Sequence, residues 1–426
     1  MRRLLRPPRW LLGYEGIPLM ARPTLRYEIL SSLFAAGGLG LLVRQFTQLF
    51  ARMALHASAL VLAVLLAERA VGNLCGIFVA RYLQRRRRVP YVVGGRVLIA
   101  MMMLVIALLP ARPASAWPYA ILLLAPAALS AVVLSMQTGV WQSNFPADVR
   151  GRLYSRLFVA KLVATGVSIK LAGYALDAWP WAHHLLYPLG AVCMLLSAAV
   201  YTRIRVRRER ATLRESAQQT LDPLVAFRVL PADPAYAKFM FWQMISGGTV
   251  LMCLPVVTLA LTEAEHLGLD WKQGTTALAL VPFLVSPAGA LLAGRLFDSM
   301  GITRYRAVGA ALWALGRGLV FAAAISKSWA LVLVAFAVRG LAQSTGGVAF
   351  NIGHTRFAPP ERGQLYMGVH MSLQGLRGLT MPFLGVWLYS LVGIRLLPIA
   401  TGIQLLAAAG FWLTRPPSRQ TEPPAP

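Results

Sequence analysis

The chain has 426 residues, 57% of them hydrophobic and 13% charged, with a mean hydropathy of +0.60; soluble domains carry about a quarter charged residues. Its 42 basic and 15 acidic residues leave a formal charge of +27, which at first suggests nucleic-acid binding. The arginines, however, cluster in short gaps between apolar runs, the pattern of a membrane protein with basic cytoplasmic loops, so soluble multidomain and nucleic-acid-binding readings are set aside.

Residues 1–27 form a basic segment that prolines and charges interrupt before any signal-peptide core could form. Arg2, Arg3, Arg6 and Arg9 surround Trp10, Leu11 and Leu12, as expected of an anchor at anionic lipid headgroups. Six apolar runs follow, at about 28–50, 57–83, 90–109, 117–141, 153–176 and 184–202. A basic linker, 203–235, separates them from six more, at about 236–261, 273–297, 305–325, 329–353, 365–392 and 396–414. Each is close to the length of about 20 residues that a bilayer core requires. Backbone polar groups find no water there, so the runs must be helices. The expected fold is an all-α polytopic membrane protein of about twelve transmembrane helices. Its domains are an N-terminal bundle (28–202), the cytoplasmic linker, a C-terminal bundle (236–414) and a polar, Pro-rich tail (415–426) expected to be disordered.

Charge sets the orientation. One side receives the N-terminal arginines, Arg85–Arg88, the 203–214 cluster and the arginines after residue 414. The positive-inside bias places that side, both termini and the linker in the cytoplasm. The predominance of arginine over lysine is a composition associated with GC-rich bacterial genomes, hence with an inner membrane.

A short motif occurs twice. Phe145-Pro-Ala-Asp-Val-Arg150-Gly151-Arg-Leu-Tyr154 returns as Phe357-Ala-Pro-Pro-Glu-Arg362-Gly363-Gln-Leu-Tyr366, at an offset of 212. Trp117 answers Trp329 at the same offset, and Gly37-Gly38 answers Gly247-Gly248 at 210. Six helices per half is an even number, so the copies share one orientation as parallel repeats.

The gap after the second C-terminal run reads Gly294-Arg295-Leu-Phe-Asp298-Ser-Met-Gly301-Ile-Thr-Arg304-Tyr-Arg306. It resembles the cytoplasmic signature of the major facilitator superfamily, Gly-x-x-x-Asp-x-x-Gly followed by basic residues. The equivalent place at 80–88 keeps the basic run but has Gln84 where the acid would stand. The Arg-Gly turns and the Gly375, Gly378, Pro382, Gly385 pattern are similar to that superfamily as well. The resemblance implies a secondary transporter working by alternating access. It also implies a cytoplasmic gating motif at Gly294, Arg295, Asp298, Gly301, Arg304 and Arg306, and a cavity that the tenth span lines and the eleventh flanks.

Charges inside apolar runs are costly and mark function by default. Arg44 and Glu68 both lie about 23 Å from the cytoplasmic face on adjacent antiparallel runs, so an ion pair between them is expected. His370, Gln374 and Arg377 fall at i, i+4, i+7 on one helical stripe, with Arg339 and Gln343 at i, i+4 on the tenth run and Lys161 on the fifth. This mid-membrane balance is positive, which points to a small anionic or amphiphilic solute. Glu68 and His370 are the candidates for proton coupling. Enzyme motifs are absent, the three cysteines have no metal spacing, and His183-His184 lacks a third ligand, so no catalysis, metal or cofactor is expected. The expected partners are the anionic lipid headgroups and a small-molecule substrate, with the chain a monomer. A transport-inactive sensor or assembly protein and a lipid flippase are the competing readings.

Overall fold

A computed structural model describes residues 18–19, 21–83, 86–145, 147–207, 209, 227–358 and 363–414. The first expected span is two helices, α1 (Arg22–Leu39) and α2 (Arg44–Met53), joined by a 3-10 turn over Gly40–Leu42. Extended backbone at Val43 separates that turn from α2. The remaining helices of the N-terminal half are α3 (Ala59–Leu83), α4 (Arg88–Ala107), α5 (Ala116–Asn144), α6 (Ala147–Ala178) and α7 (His183–Tyr201). After the linker come α8 (Pro234–Thr262), α9 (Trp271–Thr275), α10 (Val281–Ser299), α11 (Ile302–Ser326), α12 (Trp329–Ile352), α13 (Gly363–Val392) and α14 (Leu396–Leu413).

Among the described residues, nine stretches are long and apolar enough to cross a membrane, one of which, Tyr366–Leu413, holds both α13 and α14. The fold is all-helical, with every one of the twelve expected spans represented. Local chemistry explains the ends. Asp233 accepts the Tyr236 N–H at the start of α8, and Asp270 forms a capping box with Gln273 at α9. Between α9 and α10 the helix widens into a π turn, Thr276–Leu280, just before Pro282. Proline has no N–H to donate back, which favours such a bulge there.

The chain divides into two compact units. Unit 1 is Met1–Val43, Leu74–Ala111 and Pro118–Leu221; unit 2 is Arg44–Asn73, Arg112–Trp117 and Asp222–Pro426. In unit 1, α1 packs on α6 and α7, and α4 packs on α7. In unit 2, α11 packs on α12 and α14, α10 on α12, and α8 on α13, α14 and α2.

Each copy of the repeated motif anchors an elbow. In unit 1, Phe145 and Leu153 are buried against Ala21, Leu25 and Ile29 at the start of α1. In unit 2, Phe357 lies 5.5 Å from the Tyr236 ring and 4.8 Å from Phe239, at the start of α8. The Tyr366 ring lies tilted against that of Tyr236, 4.6 Å between centroids, and its hydroxyl donates to Asp233, the residue that caps α8. The repeated motif is thus the visible part of a hydrophobic clamp between the fifth span of each half and its first, and Arg150-Gly151, expected in a turn, lies inside the first turns of α6. Arg362 lies outside the described residues, and so do the side chains of Arg150, Gly151 and Gly363.

Candidate functional site

Unit 2 contains a cavity of about 200 Å³. Gln374, Arg377 and Gly378 of α13, Gln243, Ser246 and Gly247 of α8, Arg306 and Trp313 of α11, Phe350 of α12, and Arg44 at the start of α2 contribute to its wall. Its position follows from glycine. A Cβ on Gly247 would lie 2.2 Å from Arg377 Nη1, so the missing side chain is what admits the guanidinium. The matching glycines of unit 1 do different work: a Cβ on Gly38 would lie 2.5 Å from the Gly190 carbonyl, so that site serves helix contact between α1 and α7.

The electrostatics of the wall are one-sided. Arg306 is 6% exposed and Arg377 7%. Arg377 Nη1 donates to the Gln243 carbonyl at 2.8 Å, and the Nε–H groups of both arginines have no acceptor. The Arg306 guanidinium lies 5.6 Å from the Phe411 ring centroid. Gln243 and Gln374 each keep a side-chain oxygen unpaired, and an amide can turn to offer its donor instead. His370 is buried with its ring 4.8 Å from Phe350 and its Nε2 without a partner. Among the described lining residues there is no carboxylate.

A second buried polar group, in unit 1, differs in being satisfied. Glu28 of α1 is fully buried and accepts from Gln137 Nε2 at 2.8 Å and Tyr201 Oη at 2.9 Å. Arg96 of α4 donates to Ser31 Oγ and to the Ser197 carbonyl, and its guanidinium lies 4.4 Å over the Tyr201 ring. Arg317 in unit 2 is likewise occupied, donating to the Ala400 carbonyl at 2.8 Å and that of Thr249 at 3.4 Å. A satisfied buried network holds helices together; an unsatisfied one marks a place where something else binds.

The sequence-predicted residues divide accordingly. Arg44, Gln374 and Arg377 meet in the cavity, and His370 reaches its edge through Phe350. Glu68 is buried on α3 between the lining residues Leu66 and Ala70 and is not itself in the wall. Arg339 sits behind the wall, its guanidinium 5.6 Å from the Trp313 ring and 5.3 Å from Phe336; Gln343 is half-buried on the same helix, and neither lines the cavity. Lys161 is exposed on α6. In the signature, Gly301 precedes the first residue of α11 and Arg304 is exposed with its guanidinium 5.7 Å from the Trp412 ring. The side chains of Gly294, Arg295 and Asp298, on α10, are outside the described residues. Ion pairs of unit 2 include Arg52–Glu263 at 3.2 Å and His266–Glu263 at 3.7 Å.

Residues missed by sequence reasoning are Glu28 and Arg96, and the cavity role of Arg306. Arg96 offered a signal, being an arginine well inside an apolar run. Arg306 offered its distance from Gly301, about 7 Å along the helix, deep enough to leave the loop.

Residues 256–426 match the sequence profile described as Major Facilitator Superfamily. No curated protein matches the chain in sequence. Solved structures share its fold. A nucleoside transporter, NupG, superposes with a TM-score of 0.71 at 10% identity, covering 92% of this chain and 99% of its own. The inward-open xylose transporter XylE from E. coli gives 0.66 at 14% identity, covering 93% and 96%. A POT family transporter in complex with 5-aminolevulinic acid gives 0.71 at 11% identity, covering 91% and 95%.

Proposed function

We propose that the chain is a secondary transporter of the major facilitator superfamily, whose profile matches residues 256–426, and that it carries a small anionic solute by alternating access between the 28–202 and 236–414 halves. The observation that supports this reading is the pair of buried, unpartnered Nε–H groups of Arg306 and Arg377 in a cavity without a carboxylate among its described lining residues. A buried arginine edge is costly to leave unmade and is matched by a carboxylate or phosphoryl oxygen. Gln243, Gln374 and the Arg44 guanidinium complete a polar ring around that position, with Trp313 and Phe350 as apolar walls. Arg339 acts behind it as a positioning residue for Trp313.

The signature residues Gly294, Arg295, Asp298, Gly301 and Arg304 form the cytoplasmic gate in this reading, with Gly301 about one and a half turns from Arg306. The basic loops support a reading in which both termini lie on the cytoplasmic side of a bacterial inner membrane.

Thermal stabilisation of the purified protein tests the substrate class. Inorganic phosphate, glycerol 3-phosphate or succinate should raise the unfolding midpoint, choline should not, and Arg377→Gln should abolish the shift. Stabilisation by choline with none from the three anions would refute the reading.

A further inference from the structure

We propose that this carrier is an obligate exchanger of anions bearing at least two negative charges, an inference that rests on the cavity being the anion site. Among the described residues the wall holds three guanidinium groups, those of Arg44, Arg306 and Arg377. The acid nearest to it along the lining helices is Glu68, buried on α3. Even if Glu68 offsets one of the three, two positive charges remain. His370 brings a further titratable group to the edge of the site and cannot lower that total.

In the aqueous-facing states, water reaches a transport cavity and screens its charges. Between those states alternating access passes through an occluded state, in which the cavity is closed to both sides and dry. There the desolvation of a guanidinium is no longer offset, and the repulsion between neighbouring cations grows as the effective dielectric falls. Arg306 and Arg377 line the same cavity, and like charges sharing one site repel. An empty carrier would thus have to occlude an uncompensated double positive charge. A carrier holding a dianion occludes a neutral site. A co-transported proton or metal cation would add to the charge instead of cancelling it, so a cation cannot take the anion's place on the return step. The return step needs another anion, which is exchange. A monovalent anion leaves one charge over, which sets the valence at two or more.

The test uses the full-length protein in liposomes and three radiolabelled probes: inorganic phosphate, glycerol 3-phosphate and succinate. Vesicles are loaded either with the same unlabelled anion or with potassium gluconate. For at least one probe, uptake should be at least tenfold faster into the loaded vesicles. Arg306→Gln should move the loaded-to-unloaded ratio towards one by lightening the empty site, an effect that loss of packing alone would not produce. Equal uptake into both kinds of vesicle would overturn obligate exchange while leaving anion transport standing. Uptake of none of the three by either kind would remove the anionic-substrate reading, and the exchange with it.

Discussion

The Glu28–Arg96 network gives the most quantitative test of how unit 1 is held together. Arg96→Gln removes a cation that donates to Ser31 and to the Ser197 carbonyl, at about 1.5–3 kcal/mol for a hydrogen bond to a charged group. It also removes the positive charge that shares Tyr201 with Glu28. At a separation of about 6–8 Å, two opposite charges interact by about 2–3 kcal/mol at an effective dielectric of about 20, so the single variant should lose about 4 kcal/mol. Glu28→Gln keeps the shape and weakens the bonds from Gln137 and Tyr201, at about 2–3 kcal/mol by the same reasoning. The double variant removes both charges and their mutual attraction is lost only once, so it should cost about 2 kcal/mol less than the sum of the singles. At about 2–4 °C per kcal/mol for a domain of this size, its midpoint in detergent should lie about 4–8 °C above the additive expectation. Circular dichroism at 222 nm or tryptophan fluorescence reads it. Additive shifts, within about 0.5 kcal/mol, would show that the two charges do not interact and would refute the reasoning.

Two further outcomes are expected. Gly385→Ala puts a methyl 1.9 Å from the Met252 carbonyl, where α13 crosses α8, whereas the equivalent atom on Gly402 meets nothing within 4 Å. The first should lower stability by about 3 kcal/mol through overpacking and the second should leave the midpoint unchanged, both read by thermal unfolding. The Arg44–Glu68 pairing expected from spacing predicts that Arg44→Gln and Glu68→Gln are each more damaging to folded yield than the double variant; independent damage from each would remove the pairing.

Sequence reasoning reached the fold because hydropathy and repeat are properties of whole segments. The twelve spans, the two elbows and the α13 stripe of His370, Gln374 and Arg377 all follow from spacing along a single helix. What spacing along one helix cannot show is which helices meet. Arg339 and Arg377 look equivalent by depth, yet Arg339 turns to Trp313 and Phe336 while Arg377 lines the cavity. Glu28 and Tyr201 are 173 positions apart, and each sits close enough to a helix end to be read as a headgroup residue. Arg306 was hidden by its neighbours: Arg304, one basic position earlier, is an ordinary exposed loop-side arginine. Half a turn of helix separates the two roles.

The elbows carry a consequence for biosynthesis. Phe145 closes on Leu25 across 120 positions, and Phe357 closes on Tyr236 across 121. Each closure uses only residues of its own half. The N-terminal half therefore completes its clamp when residue 145 and the start of α6 leave the ribosome, before α8 exists. Loop-closure entropy grows only with the logarithm of length, so the two halves face nearly the same entropic cost, one after the other. Ring contacts at Phe357 and Tyr366 then give the second half its own checkpoint, and a chain truncated before residue 357 would leave α8 without the partner that seats its first turn.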